Sequence, residues 1–62
     1  MLRREPIPKD PMILLSFINT KLRDHYASLH DLCEDMELEE GDLKLILGTL
    51  GYEYKEELNK FL

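Results

Sequence analysis

The sequence has only one cysteine, and no apolar run comes near the ~20 residues that a membrane-spanning helix needs. Cys33 cannot form an internal disulfide, so the chain lacks the even cysteine framework of small secreted domains. The first residues, MLRREPIPKD, place Glu5, Pro6 and Pro8 where a signal peptide would have an apolar stretch. We therefore expect a cytoplasmic protein that neither spans a membrane nor is secreted.

The length of the chain, 62 residues, allows one domain with a small core. A chain of this size buries only ~60% of the surface that it exposes when unfolded. With 44% hydrophobic and 34% charged residues, the composition is that of a folded chain rather than a disordered one. Contact with a partner would therefore add a useful share of stability.

Charge is unevenly distributed along this acidic chain, whose formal net charge is -5. Residues 1–26 hold five basic residues against three acidic ones, whereas residues 27–62 hold three against ten. Neutralisation of phosphates by lysine and arginine supplies most of the non-specific affinity for DNA. The second half of the chain is therefore poorly suited to contact a phosphate backbone.

Residues 1–9 are predicted to form an extended lead, and residues 10–62 a single small domain. Two prolines in the lead disfavour helix for the residues that precede them. Asp10-Pro11 then marks a helix start. An aspartate there accepts the free amide hydrogens of the first turn, and a proline at the first helical position has no N–H to leave unpaired.

The first helix is predicted to run from about Pro11 to Tyr26. Its core-facing residues recur at spacings of three and four: Leu14, Leu15, Ile18, Leu22 and Tyr26. Three further apolar residues make the apolar face of this helix wider than that of a typical amphipathic helix: Met12, Ile13 and Phe17. Its polar side carries the basic residues Lys21 and Arg23. Such an apolar helix is either central in the fold or covered by a second partner.

Ser28 is predicted to begin the second helix, with Asp31 as the acidic half of a capping pair. The apolar face of this helix consists of Leu29, Leu32, Cys33 and Met36. The third helix is predicted to start near Leu43 and to continue to Gly51, which can adopt the left-handed conformation that ends helices.

The residues after Gly51 are predicted to form a hairpin, because Tyr52 to Tyr54 alternates like a strand and Asn59 to Phe61 can return as its partner. The predicted fold is therefore mainly α: a three-helix, helix-turn-helix-like bundle followed by a short C-terminal β-hairpin. This order resembles the winged-helix variety of the motif over residues 11–62.

The second and third helices have the spacing of a helix-turn-helix, in which the first helix and the turn bury apolar residues against the second helix. The predicted core of the motif consists of Leu32, Met36, Leu38, Leu43 and Ile46. Cys33 is expected to be buried and chemically quiet. Glu37 departs from the pattern, because glycine is favoured at the bend.

A DNA reader would place the exposed residues that open the third helix against bases and phosphates. Here those positions hold Glu39, Glu40 and Asp42, with Lys44 as the single base. Carboxylates suit the positive end of a helix dipole, so stability explains them without a ligand. We expect that this helix does not read DNA.

No catalytic, cofactor-binding or metal-binding residue is predicted. His30 and Cys33 could suggest a metal site, but no second cysteine pair accompanies them. The acids of the second and third helices lack the alternating ligands of a calcium loop. Asp24, His25 and Ser28 crowd a helix end where no oxyanion donors are indicated, so we expect no enzymatic activity and no small-molecule substrate.

Several short motifs resemble the bacterial family catalogued as domain of unknown function 4250, over Ile7 to Phe61. They are the Asp10-Pro11 start, the block from Ile18 to Asp24, Ser28-Leu29, Leu32-Cys33, and Gly51-Tyr52-x-Tyr54 with Asn59 and Phe61. The resemblance implies a free-standing small domain from a bacterial source. It transfers no catalytic or binding residue.

Two functional interpretations remain. The preferred one is a protein-interaction module whose apolar surplus is covered by a second copy or by another protein: Met12, Ile13, Phe17, Leu45 and Leu50. The alternative is a DNA-binding transcription regulator that uses a basic face formed by Arg3, Arg4, Lys9, Lys21 and Arg23.

Overall fold

The fold consists of three helices followed by a two-stranded hairpin, as predicted, in a computed structural model that describes residues 7–62. The elements are α1 (Pro11–Asp24), α2 (Leu29–Met36), α3 (Glu40–Gly48), β1 (Tyr54–Lys55) and β2 (Lys60–Phe61). The predicted basic contacts Arg3 and Arg4, and the first six residues of the predicted lead, lie outside the described residues. Residues 7–9 belong to no helix or strand.

Helix α1 begins as predicted and ends earlier. The Asp10 carboxylate accepts hydrogen bonds from the Met12 and Ile13 amides at 2.9 and 3.3 Å. The helix was predicted to reach Tyr26 but ends at Asp24. The chain leaves the helical path there because the His25 and Tyr26 amides both donate to the Lys21 carbonyl.

A three-residue turn, residues 37–39, joins α2 to α3. The Ser28 hydroxyl accepts from the Asp31 amide at 3.1 Å, which confirms Ser28 as the cap that starts α2. At the other end Glu37 takes the left-handed conformation, with φ 58° and ψ 46°. The amide of Leu38 then donates back to the Cys33 carbonyl at 2.9 Å, so the turn closes tightly against α2.

Helix α3 ends at Gly48 rather than at the predicted Gly51. The amides of Leu50 and Gly51 each donate to the carbonyl three residues earlier, so the last turn is tighter than an α-helix. Gly51 does adopt the left-handed region, with φ 87°. The predicted conformation is therefore confirmed, but the predicted helix boundary is three residues too late.

The core lies where α1, α2, α3 and β2 meet. Its buried residues are Leu14, Leu15, Ile18, Leu22, Leu29, Leu32, Cys33, Met36, Leu43, Leu47 and Phe61. Burial of Leu32, Met36, Leu43 and Cys33 confirms the prediction for these residues, and Leu38 packs half-buried against the core. The prediction for Ile46 was wrong.

Ile46 is 40% exposed, and Leu47 is fully buried in its place. The reason is the rotation of α3, which turns Leu43 and Leu47, four residues apart, toward α1 and α2. Leu45, Ile46 and Leu47 are all apolar. The sequence therefore does not mark which of them faces inward.

The hairpin is held to α1 by the side-chain amide of Asn19. Strands β1 and β2 are antiparallel, with Tyr54 opposite Phe61. The Asn19 amide group donates to the Phe61 carbonyl at 3.0 Å, and its oxygen accepts from the Phe61 amide at 2.8 Å. Asn19 thus pairs with β2 as a neighbouring strand would, and the Phe61 ring is buried beneath it.

Asn59 joins the hairpin to the ends of two helices. Its side-chain amide donates to the Leu22 and Tyr26 carbonyls at 3.1 and 2.9 Å. Its oxygen accepts from the Tyr54 hydroxyl at 2.6 Å, and that hydroxyl accepts from the Leu29 amide at 3.2 Å. We call these residues the Asn59 cluster: Asn59 and Tyr54 with the Leu22 and Tyr26 carbonyls and the Leu29 amide. It bonds backbone groups near the end of α1 and at the start of α2.

Alanine substitutions at positions 46 and 47 should separate the core side of α3 from its exposed side. Leu47→Ala should lower the free energy of unfolding by about 2 to 5 kcal/mol, because it leaves a cavity in the core. Ile46→Ala should lower it by about 1 kcal/mol or less, because much of that side chain is already in water. Urea unfolding of both variants measures the difference. Equal losses would contradict the rotation described for α3.

Between residues 7 and 62, two non-glycine residues have positive φ, Glu37 and Asn59, and glycine substitutions at these positions should have opposite effects. Glu37→Gly should raise the free energy of unfolding by about 0.5 to 1 kcal/mol, because glycine takes the left-handed region without steric cost. Asn59→Gly, the matched control at φ 53°, should lower it by about 2 kcal/mol or more, because the hydrogen bonds of its side chain are lost. Thermal and urea unfolding measure both changes, and a stabilised Asn59→Gly variant would contradict the role given to the Asn59 cluster.

Candidate interaction surface

The five apolar residues predicted to be covered by a partner differ in exposure. Met12, Ile13 and Leu45 are exposed, at 54, 58 and 70%. Phe17 and Leu50 are half-buried and pack against the core. Leu45 lies about 200° around α3 from both Leu43 and Leu47, so it points away from the core. Contact of these residues with a partner stays a prediction.

An exposed surface on α3 combines large aliphatic side chains with acidic ones. We call it the α3 outer face and define it by Glu39, Asp42, Leu45 and Ile46. Leu45 and Ile46 follow Asp42 by three and four residues, which places all three side chains on one side of the helix. Both aliphatic side chains are exposed. Sequence reasoning included Leu45 but missed Ile46, which it had placed in the core.

The α3 outer face is negatively charged because the single base of α3 lies elsewhere. The Lys44 ammonium pairs with the Glu40 carboxylate at 3.2 Å, on the side of the helix away from Asp42. Glu40 and Asp42 lie in the first helical turn, where negative charge is favourable near the positive end of the dipole. The acids thus stabilise the helix start and also give this face its charge.

A shallow groove of about 420 Å³ borders the α3 outer face. Most of its wall is aliphatic, from Ile7, Pro8, Leu14, Leu38, Leu43 and Ile46. The charged residues of its rim are Lys9, Glu39 and Asp42. The groove is therefore lined by the segment before α1, by Leu14 of α1, by the turn between α2 and α3, and by the start of α3.

The predicted basic face, Lys21 and Arg23, lies on α1 and is partly occupied by internal contacts. Two nitrogens of the Arg23 guanidinium donate to the two carboxylate oxygens of Asp24, at 2.9 and 3.1 Å. This hydrogen bonding lowers the pKa of Asp24 from its ordinary value. The Lys21 ammonium lies 5.5 Å from the centre of the Phe17 ring.

A second groove, of about 650 Å³, separates α1 from the hairpin. Met12 and Leu58 are its exposed apolar residues, and Arg23 and Lys60 are its bases. Much of the remaining wall is polar, including Ser16 and Thr20. It is therefore larger than the groove beside α3 but less apolar.

Cys33 is buried in the apolar face of α2, as predicted from the apolar residues around it in that helix. Burial raises the pKa of its thiol to about 11, and the negative charges of Glu40 and Glu39 act in the same direction. His30 lies on the exposed side of α2, 3.9 Å from the Glu34 carboxylate. Across residues 7–62, histidine, cysteine and acidic side chains form no group of three or more that could hold a metal ion.

Sequence reasoning missed the roles of Asn19, Tyr54 and Asn59, although all three lie in the motifs on which the family resemblance rests. In the structure all three make hydrogen bonds that fasten the hairpin to the helices. Tyr54 and Asn59 are only five residues apart, but their partners at the helices lie far away in sequence, from 25 residues for Tyr54 and Leu29 to 42 residues for Asn19 and Phe61. No local pattern could have indicated such pairs.

Comparison with known proteins gives one family match. A family model described as Domain of unknown function (DUF4250) matches residues 8–61. Neither the curated proteins nor the solved structures gave a significant match. None of the helices between residues 7 and 62 is both long and apolar enough to cross a bilayer.

Replacement of Cys33 by alanine should remove a loss of stability at alkaline pH. The folded thiol has a pKa of about 11 against an ordinary value of 9.0, so the thiolate forms more readily in the unfolded chain. The contribution of the neutral thiol to the free energy of unfolding is therefore fully present below pH 9. It is lost as the pH rises toward 11, and the total loss is about 2 to 3 kcal/mol.

Urea unfolding of the parent and of Cys33→Ala across this pH range measures the effect, because tyrosine and lysine titrations contribute equally to both proteins. The difference between their unfolding free energies should shrink as the pH rises. A difference that does not change with pH would contradict the raised pKa of the Cys33 thiol. Rapid labelling of the native thiol at neutral pH would contradict its burial.

Proposed function

This chain belongs to the DUF4250 family, and we propose that it is a non-enzymatic protein-interaction module of the cytoplasm, built on a helix-turn-helix scaffold. The surface that binds the partner is the α3 outer face with the groove beside it. The observation that carries the proposal is the exposure of Leu45 and Ile46, side by side on a helix whose other apolar residues are buried.

The connection between α2 and α3 supports a helix-turn-helix scaffold. It is three residues long, and its first residue, Glu37, has the left-handed conformation that the motif places at its bend. Leu38, in the middle of the turn, packs against the core. The hairpin that follows α3 is consistent with the winged-helix variety. Because such a scaffold serves DNA, RNA and protein binding alike, the surface has to decide the function.

The exposed aliphatic side chains of α3, Leu45 and Ile46, support a protein as the partner. Complete burial of one leucine or isoleucine side chain is worth about 1.5 to 3 kcal/mol. Single exposed apolar residues are common on protein surfaces, but Leu45 and Ile46 are adjacent, and Ile46 also lines an aliphatic groove. A partner that covered both residues and filled the groove would gain apolar contact that the small core cannot provide.

Charge on α3 supports protein rather than nucleic acid as the partner. Glu39, Glu40 and Asp42 occupy the positions from which a recognition helix contacts DNA, and they would repel phosphates. Lys44 is already paired with Glu40. Of the bases in the alternative DNA-binding face, Arg23 is paired with Asp24. DNA binding by that face is an outcome that the following experiment distinguishes.

Site-specific photo-cross-linking tests the proposed surface. A photoreactive phenylalanine derivative is introduced at Leu45 in the source cell, and at Leu58 as a control. Leu58 is also exposed, at 54%, but lines the other groove. We expect a protein adduct from position 45 that resists nuclease and is absent from position 58, detected by gel shift and mass spectrometry.

Three outcomes of this experiment would contradict the proposal. Equal adducts at both positions would mean that the α3 outer face is not selective. A nuclease-sensitive adduct at position 45 would assign the face to nucleic acid and favour the regulator. Absence of any protein adduct at position 45 would remove the α3 outer face as an interaction surface.

A further inference from the structure

The groove beside α3 has room for a few side chains and an open side through which they could enter. Its volume, about 420 Å³, lies within the range of ~300 to 1,000 Å³ that binding pockets commonly have. Ile46 forms part of its wall and remains 40% exposed. Leu38, in the turn, is half-buried and lines the same groove. An aliphatic or aromatic side chain is therefore the natural occupant.

Charges on the rim constrain what can accompany that apolar side chain. A segment seated over Ile46 also covers Asp42, one helical turn earlier, and comes close to Glu39. A carboxylate that loses water without gaining a partner is strongly unfavourable. Lys44 cannot serve Asp42, because it is paired with Glu40 on the other side of the helix. Cations supplied by the partner would remove this cost.

Lys9, in the segment before α1, also lines the groove, so the charged residues of its lining are one base and two acids. Basic residues of a partner would therefore be favoured on the α3 side, and an acidic residue would be tolerated only beside Lys9. The formal net charge of the whole chain, -5, adds a long-range attraction for a basic segment.

A second copy of this chain is a poor occupant of the groove. Two copies repel each other because both carry the net charge of -5. The basic residues that a copy could offer from α1 are already engaged, Arg23 with Asp24 and Lys21 over the Phe17 ring. The groove is therefore better matched by a different protein.

We propose that the groove between the segment before α1 and the start of α3 binds a basic, apolar peptide segment of another protein. An aliphatic or aromatic side chain of that segment enters the groove against Leu38 and Ile46. A neighbouring lysine or arginine pairs with Asp42 and Glu39. The proposal rests on the proposed function and specifies the chemistry of the partner for that surface.

A phage-displayed library of random peptides is the probe that tests the proposal. The library is selected on the folded chain, and the affinities of the enriched peptides are measured by fluorescence anisotropy. We expect enriched peptides to combine lysine or arginine with a large apolar residue. The double variant Glu39→Gln, Asp42→Gln and the single variant Ile46→Ser should each weaken binding by about tenfold or more.

Matched controls change the same chemistry away from the groove. Glu56→Gln with Glu57→Gln removes two exposed acids near the hairpin, and Leu58→Ser removes an exposed apolar side chain there. Each control should change the affinity by less than about twofold. Circular dichroism melting of every variant shows that the fold is retained, which is expected because all the changed side chains are at least partly exposed.

Several results would overturn the proposal. These are enrichment of acidic or uncharged peptides, no enrichment at all, or equal weakening by the Glu56 and Glu57 control, which would indicate general charge attraction. Self-association that the Ile46→Ser variant abolishes, measured by sedimentation, would assign the groove to a second copy. If cross-linking from Leu45 still captures a protein, the proposed function stands while the partner chemistry fails.

Discussion

The hydrogen bonds of the Asn59 side chain hold together parts of the chain that would otherwise separate. The last carbonyls of α1 and the first amide of α2 have no partner inside their own helices, and such groups are costly to bury unpaired. Asn59 and Tyr54 supply the missing partners from the hairpin. The turn between α1 and α2 can therefore be short and close to the core, which fixes where α2 and then α3 lie.

Asn59 suits this task for two independent reasons. Its amide group offers donors and an acceptor at the same time, so one side chain serves the helix carbonyls and the Tyr54 hydroxyl. Asparagine also tolerates the left-handed conformation better than most residues, and Asn59 has φ 53°. The same residue thus turns the chain into β2 and fastens β2 to the helices. With a core this small, such polar contacts carry a large part of the task of holding the hairpin against α1 and α2.

Local signals allowed the sequence to predict the starts of α1 and α2 but not the packing. The third helix was predicted to start near Leu43, whereas α3 begins at Glu40. Asp10 and Ser28 cap their helices as expected, because a cap depends only on residues within three positions. The rotation of α3 was not predictable, since Leu45, Ile46 and Leu47 offer several apolar faces and only contact with α1 and α2 selects one. The acids of the α3 outer face were visible in the sequence. The groove was not, because the segment around Ile7 reaches α3 only in the folded chain.

Asn19 has a consequence for how copies of this protein behave at high concentration. An exposed strand edge is a template for pairing with a strand of another molecule, and such pairing is a common route to aggregation. On β2 the backbone amide and carbonyl of Phe61 are not available for such pairing, because both are hydrogen-bonded to the side-chain amide of Asn19 in the same molecule. An incoming strand would have to displace Asn19 and uncover the buried Phe61 ring. A single amide thus protects this edge of the hairpin against growth into a larger sheet.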